Sequence, residues 1–160
     1  MFCAGSFWDL EPAFRHLSGV VATSVGFMGG TVTAPTYGEV CTGKTGHSEV
    51  VMIAYDPGRI SYRELLDIFF NSSDPCSRQQ GEYAGTQYEP VIFYHSGQDK
   101  RLAEECINKL RNAGRCPNGI VTRTAPASAF YRAEECHQQF YEKMGVCYPV
   151  LHTGDPGRNE

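Results

Sequence analysis

Met1-Phe2-Cys3-Ala4-Gly5-Ser6-Phe7-Trp8-Asp9-Leu10-Glu11-Pro12-Ala13-Phe14-Arg15-His16-Leu17 is the stretch on which the fold turns. Met1 to Gly5 reads as a short buried strand. Ser6 then stands where a helix should begin, because its hydroxyl can cap the first free amides. Phe7, Leu10, Phe14 and Leu17 recur at helical spacing, and Asp9 adds an acid to the first turn, three residues after Ser6. Gly19 supplies the stop.

Working outward, Val20 to Phe27 is β-branched and apolar enough for a strand. Residues 31 to 48 lack periodicity and read as a long loop, a length that points to function in a compact domain. Glu49 to Tyr55 is the next strand, closed by Asp56-Pro57-Gly58. Ser61 and Glu64 form a capping box before an apolar helix face. Asn71 to Gly85 is a second long loop. Pro90 to His95 is a strand, and Ser96 opens a helix that ends before Gly114. Ile120 to Thr124 is a weaker strand, Arg132 to Lys143 a short helical segment, and the rest from Gly145 coil. The order β-α-β-β-α-β with an added α and β predicts a two-layer α/β (α+β) sandwich: a mixed sheet, helices on one side, long loops. One domain over residues 1–160, with 145–160 as a flexible tail, is the expectation.

A 41% hydrophobic and 20% charged composition is ordinary for a globular chain that buries a core. A net charge of -4 without a basic cluster argues against nucleic acid as a partner. No apolar run reaches the roughly 18 residues of a membrane span. Met1-Phe2-Cys3-Ala4-Gly5 does not read as a secretory signal. Seven cysteines, an odd number, with no Cys-x-x-Cys, argue for free thiols in a reducing, cytoplasmic setting. Cys136-His137 with Cys106, Cys116 and Cys147 is the one conceivable zinc set, at spacings that fit no familiar site. No metal and no bound cofactor are expected.

Three segments then stand out in order: Gly5-Ser6-Phe7-Trp8; Pro35-Thr36-Tyr37-Gly38-Glu39-Val40-Cys41 through Thr45-Gly46-His47-Ser48-Glu49; and Gly85-Thr86-Gln87-Tyr88. A fourth, Phe130-Tyr131-Arg132-Ala133-Glu134 with His137-Gln138-Gln139, lies near the C-terminus. Together they resemble methionine sulfoxide reductases of the A type, over nearly the whole chain. The resemblance implies a ferredoxin-like core with a coiled C-terminal extension. It also implies reduction of free and peptide-bound methionine-S-sulfoxide by a monomer, with thioredoxin or dithiothreitol as external reductant. Glu49 would protonate the sulfoxide oxygen, Tyr37 and Tyr88 would donate to it, and Phe7 and Trp8 would hold the methyl group. Tyr83 and His137 are placed beside the substrate, and His47 is expected to hold its loop. Read without the resemblance, Glu49 is an exposed charge at a strand end, and Phe7 and Trp8 are core.

The departures concern chemistry. Ser6 stands where the family has its nucleophilic cysteine, and Tyr83 where the family has an aspartate near the substrate. Serine cannot replace the thiolate: its hydroxyl stays protonated, and oxygen transfer to it would create an O–O bond instead of a sulfenic acid. The chain is therefore expected to bind without turnover; a non-catalytic module that recognises oxidised methionine is the alternative. Cys147 is the candidate resolving thiol and Cys76 the next. Cys41 and Cys106 are expected in the core.

Overall fold

A computed structural model describes residues 1–145. In chain order it contains β1 (Phe2–Cys3), α1 (Phe7–Arg15), β2 (Val20–Met28), α2 (Tyr37–Cys41), β3 (Ser48–Tyr55), α3 (Tyr62–Ser72), β4 (Val91–Tyr94), α4 (Gly97–Asn112), β5 (Arg123–Pro126), β6 (Tyr131–Arg132) and α5 (Phe140–Lys143). Short 3₁₀ turns occupy Thr86–Tyr88 and Glu135–His137. The mixed sheet runs β5-β4-β1-β3-β2-β6; among the described residues β4 and β5 pair parallel and the other neighbours antiparallel.

The side-chain period of two sorts the strands between two cores. Phe2, Val25, Phe27, Val51 and Ile92 join Phe7, Leu10, Phe14, Leu65, Leu66 and Phe69 in the main core between sheet and helices. Cys3, Met28, Val50, Val91 and Phe93 face the other way, where Ala125, Ala127 and Phe130 cover them. The short β1 thus lies in the middle of the sheet and is buried on both faces, and Ser6, three residues beyond Cys3, is carried to the edge of the core. The Ser61–Glu64 box caps α3 and Ser96 opens α4 as read from the sequence, and Asp99 completes a second capping box there.

Three local expectations are corrected. The loop read over 31–48 contains α2, whose Thr36–Glu39 capping box stabilises a helix too short to show periodicity. The weak strand placed at 120–124 forms at Arg123–Pro126, where parallel pairing with β4 fixes its position. The segment 132–143 is divided into the end of β6, a 3₁₀ turn and α5, because Gln139 adopts a left-handed conformation with φ 49°. The tail expected after Gly145, and Cys147 with it, lies outside the described residues.

The thiols are not all free. Cys76 and Cys116 form a disulfide across 40 residues of sequence. The loops carrying them run side by side, joined by the Val121 amide donating to the Pro75 carbonyl at 2.8 Å, which brings the two Cα atoms to 5.3 Å. That pairing removes Cys76 as a ready resolving thiol, and Cys116 from any zinc set. Cys41 is exposed at the end of α2, not in the core; Cys106 is buried as expected. No helix among the described residues is long and apolar enough to cross a membrane.

A cross-link closing a loop of this size removes chain entropy worth about 4 kcal/mol from the unfolded state. Urea unfolding of the Cys76→Ala/Cys116→Ala variant is expected to show stability about 2–4 kcal/mol below that of the oxidised chain. An unchanged midpoint would show that the cross-link contributes nothing to stability.

Candidate active site

The site begins at the junction of β1 and α1. Gly5 turns the chain with φ 69°, and its amide donates to the Tyr88 carbonyl at 2.8 Å. A Cβ here would stand 3.0 Å from the Cβ of Gln80, so a side chain would press on the loop that carries Tyr83. Ser6 is 2% exposed and caps α1, its Oγ accepting from the Trp8 amide at 3.2 Å. The next amide, that of Phe7, donates at 3.1 Å to Oε2 of Glu49. A free amide of the helix start thus holds a carboxyl group presented by the adjacent strand.

Glu49 is 1% exposed, opposite to the exposed strand-end charge its position alone suggested. Its second oxygen, Oε1, is buried with no hydrogen-bond partner among the described residues. Burial pushes its pKa up to about 7; the Phe7 amide pulls down, the Asp9 charge pushes further up, and the Tyr88 phenol pulls down. At neutral pH the group is poised between acid and base, with one oxygen free to act.

Tyr37 and Tyr88 converge on this carboxyl. Burial raises both phenols above their ordinary pKa; for Tyr37 the Cys41 thiol, and for both the Glu49 charge, add to the rise. Both are therefore un-ionised donors at neutral pH. Tyr37 opens α2, and its ring lies 5.6 Å from Trp8, 6.0 Å from Phe7 and 4.3 Å from His137. Phe7 is fully buried and Trp8 half-buried, so Trp8 offers the accessible apolar wall. His137 accepts from the Trp8 indole at Nδ1, 3.3 Å away, and burial lowers its pKa, which keeps it the neutral acceptor this bond requires. Tyr83 lies against Tyr88, ring centres 5.2 Å apart, and its phenol meets the side chains of Asp9 and Ser6. The cleft beside Ser6, about 390 Å³, is lined by Gly5, Asp9, Gln80 and Tyr83.

His47 holds its loop: Nδ1 accepts from the Gly30 amide at 3.2 Å, and Nε2 faces the Val32 carbonyl at 2.8 Å. Cys3 is buried with its thiol on the carbonyls of Gln87 and Glu89, and burial raises its pKa, so it cannot stand in for Ser6. Among the described residues no three His, Cys, Asp or Glu side chains are disposed to hold a metal ion.

The sequence reading missed four residues here. Phe140 stacks on Trp8 at 4.1 Å and extends the apolar wall. Asp9, noted only for its place in a first turn, borders the cleft; its spacing from Ser6 already placed both on one helix face. Glu11, 1% exposed, accepts from the Thr23 hydroxyl at 2.7 Å and the Gln139 amide at 2.9 Å. Gln138 is fully buried and bonds the backbone of Val25 and Ala133. An acid inside the apolar stripe of α1 was the available signal for Glu11; Gln138 carried none beyond its motif.

Comparison with known proteins places the chain among relatives of one family. The family described as "Peptide methionine sulfoxide reductase" matches residues 1–155. The peptide methionine sulfoxide reductase MsrA of Methanoculleus marisnigri is 52% identical over 145 residues, 90% of this chain and 88% of that protein. Among solved structures, reduced Mxr1 from Saccharomyces cerevisiae superposes with a TM-score of 0.81 at 34% identity, covering 94% of this chain and 87% of the other. Mxr1 in complex with Trx2 also matches, with a TM-score of 0.58 at 30% identity, over 84% and 79% of the two chains.

The buried carboxyl has a consequence for stability. The unfolded carboxyl titrates near its ordinary value of 4.5, the folded one at about 7. Between these values the folded state holds a proton that the unfolded state has lost, so stability falls as pH rises through the window. The loss amounts to about 3 kcal/mol. Glu49→Gln should be about as stable as the parent at pH 4.5 and about 2–3 kcal/mol more stable at pH 8, read from urea unfolding at each pH. Equal pH profiles would mean that Glu49 ionises as freely in the folded chain as in the unfolded one.

Proposed function

The chain belongs to the peptide methionine sulfoxide reductase family, and on that premise we propose that its site binds methionine-S-sulfoxide, free or in oxidised proteins, and that Ser6 stops the reaction there. The orphaned, buried oxygen of Glu49 carries the reading. A sulfoxide oxygen placed against it gives that oxygen its missing partner, and a proton on Glu49 is donated along the same bond. Tyr37 and Tyr88 donate beside it. Trp8, supported by Phe7 and Phe140, receives the methyl group and the polarisable sulfur.

In the family reaction a thiol accepts the oxygen: sulfoxide plus thiol gives thioether plus sulfenic acid. An external dithiol, thioredoxin in this reading, then reduces the sulfenic acid to the thiol, itself becoming a disulfide and releasing water. The helix start that Ser6 caps would favour a thiolate at this place. The serine hydroxyl keeps its proton and can only donate or accept a hydrogen bond.

A second reading, a module that recognises oxidised methionine without reducing it, draws support from Ser6 itself. Its hydroxyl is engaged both by the Trp8 amide and by the Tyr83 phenol.

Calorimetry with the chain as it stands should show binding of a peptide carrying methionine-S-sulfoxide and none of its unoxidised twin. Ser6→Cys should gain reductase activity with dithiothreitol or thioredoxin, confined to the S epimer. In that background Glu49→Gln should lower turnover about 10²–10⁴-fold. A folded Ser6→Cys variant that reduces no sulfoxide would refute the assignment of the site. Equal affinity for oxidised and unoxidised peptides would remove both readings.

A further inference from the structure

Asp9 lies beside the pocket but has no part in the chemistry just described. It is three residues after Ser6 on α1, so the two side chains share a helix face. Its Oδ1 accepts a hydrogen bond from the phenol of Tyr141, on α5. The phenol of Tyr83 meets the same carboxylate and the Ser6 side chain. Asp9, Ser6 and Tyr83 all line one cleft.

These contacts join parts of the chain that are distant in sequence. Tyr83 precedes the 3₁₀ turn that carries Tyr88, and the Tyr83 and Tyr88 rings touch. Tyr141 follows Phe140, whose ring stacks on Trp8, and His137 precedes both. One carboxylate therefore grips the oxygen side of the pocket through Tyr83 and its apolar wall through Tyr141.

We propose that Asp9 is a positioning residue of this site: its carboxylate seats Tyr83 against Ser6 and Tyr141 against the opening helix, and so holds the aromatic wall and the oxygen-side donors in one arrangement. The inference rests on the sulfoxide reading of the pocket.

Asp9 also acts by charge. Glu49 is faced by Asp9 and the Phe7 amide from α1, by Tyr37 from α2, by Tyr88 from the 3₁₀ turn and by the Cys3 thiol from β1; its neighbour across β2 is the apolar Phe27. Among these, Asp9 is the carboxylate whose charge raises the proton affinity of Glu49. Its field favours the neutral, donating form of Glu49. Removing the charge while keeping the shape should release Glu49 to ionise at lower pH.

The test compares Asp9→Asn and Tyr141→Phe with the parent chain. The carboxyl carbon of Glu49 is followed by NMR through a pH titration without ligand. Binding of a methionine-S-sulfoxide peptide is measured by calorimetry from pH 5 to 9. Asp9→Asn is expected to move the Glu49 midpoint about half a unit toward acid and to weaken binding above pH 7 at least about threefold. Tyr141→Phe is expected to weaken binding while leaving the Glu49 midpoint in place. A folded Asp9→Asn variant with an unchanged midpoint, or a Tyr141→Phe variant that binds as the parent does, overturns the assignment. A parent chain that binds no sulfoxide, with a midpoint that still moves in Asp9→Asn, refutes the reading of the pocket and leaves the action of Asp9 on Glu49 standing.

Discussion

A buried carboxyl group with one oxygen bonded and the other left over is the constraint around which this structure is arranged. Oε2 of Glu49 is fixed by the Phe7 amide, and Oε1 faces no partner among the described residues. Desolvation of this kind is costly, and a protein keeps it only where the surroundings hold it in place. Here they do. Strand β3 delivers the group, helix α1 offers the free amide, and the central position of β1 sets that helix start beside β3. The same geometry raises the proton affinity of the group and gives it an oxygen with which to act.

The remaining site residues are held by bonds that have no chemistry of their own. Gln138, fully buried, satisfies the backbone of Val25 and Ala133, and Glu11 takes the amide of Gln139 in its left-handed conformation. These two side chains fasten the C-terminal segment to α1 and β2, so that His137 and Phe140 reach Trp8. Buried polar groups with every partner in place specify one arrangement more sharply than apolar packing does. The Cys76–Cys116 bond does comparable work for the loop that leads to Tyr83 and Tyr88, closing it onto the chain after α4.

How much of this was legible in the sequence follows from how local each signal is. The periodic apolar residues of α1, α3 and α4, the capping pair Ser61–Glu64 and the helix start at Ser96 act within a few residues, and they were readable. Helix α2 was not, because five residues give no period. The disulfide was not, because two cysteines 40 residues apart carry no mark of proximity. Motif resemblance located Glu49, Tyr37, Tyr88 and Trp8 where composition favoured surface and core. It said nothing of Asp9 with Tyr141, whose meeting depends on α5 folding back across α1. The exposed Cys41 was misjudged for a similar reason: an apolar neighbour, Val40, points inward, and α2 turns the next residue out.

Position 6 separates two properties that a working reductase combines. Recognition of a sulfoxide needs a proton donor, an apolar wall and a fixed distance between them, and none of these depends on the atom at the helix start. Turnover needs an atom there that can accept oxygen and give it up again, which sulfur does and a hydroxyl oxygen does not. In this chain Ser6 caps α1 through the Trp8 amide and meets Tyr83, so the helix start is complete without a thiol. The pocket therefore needs no nucleophile to hold its shape. Glu11 and Gln138 fasten the C-terminal segment, and Glu49 is held by the Phe7 amide, without any contribution from a thiol at position 6.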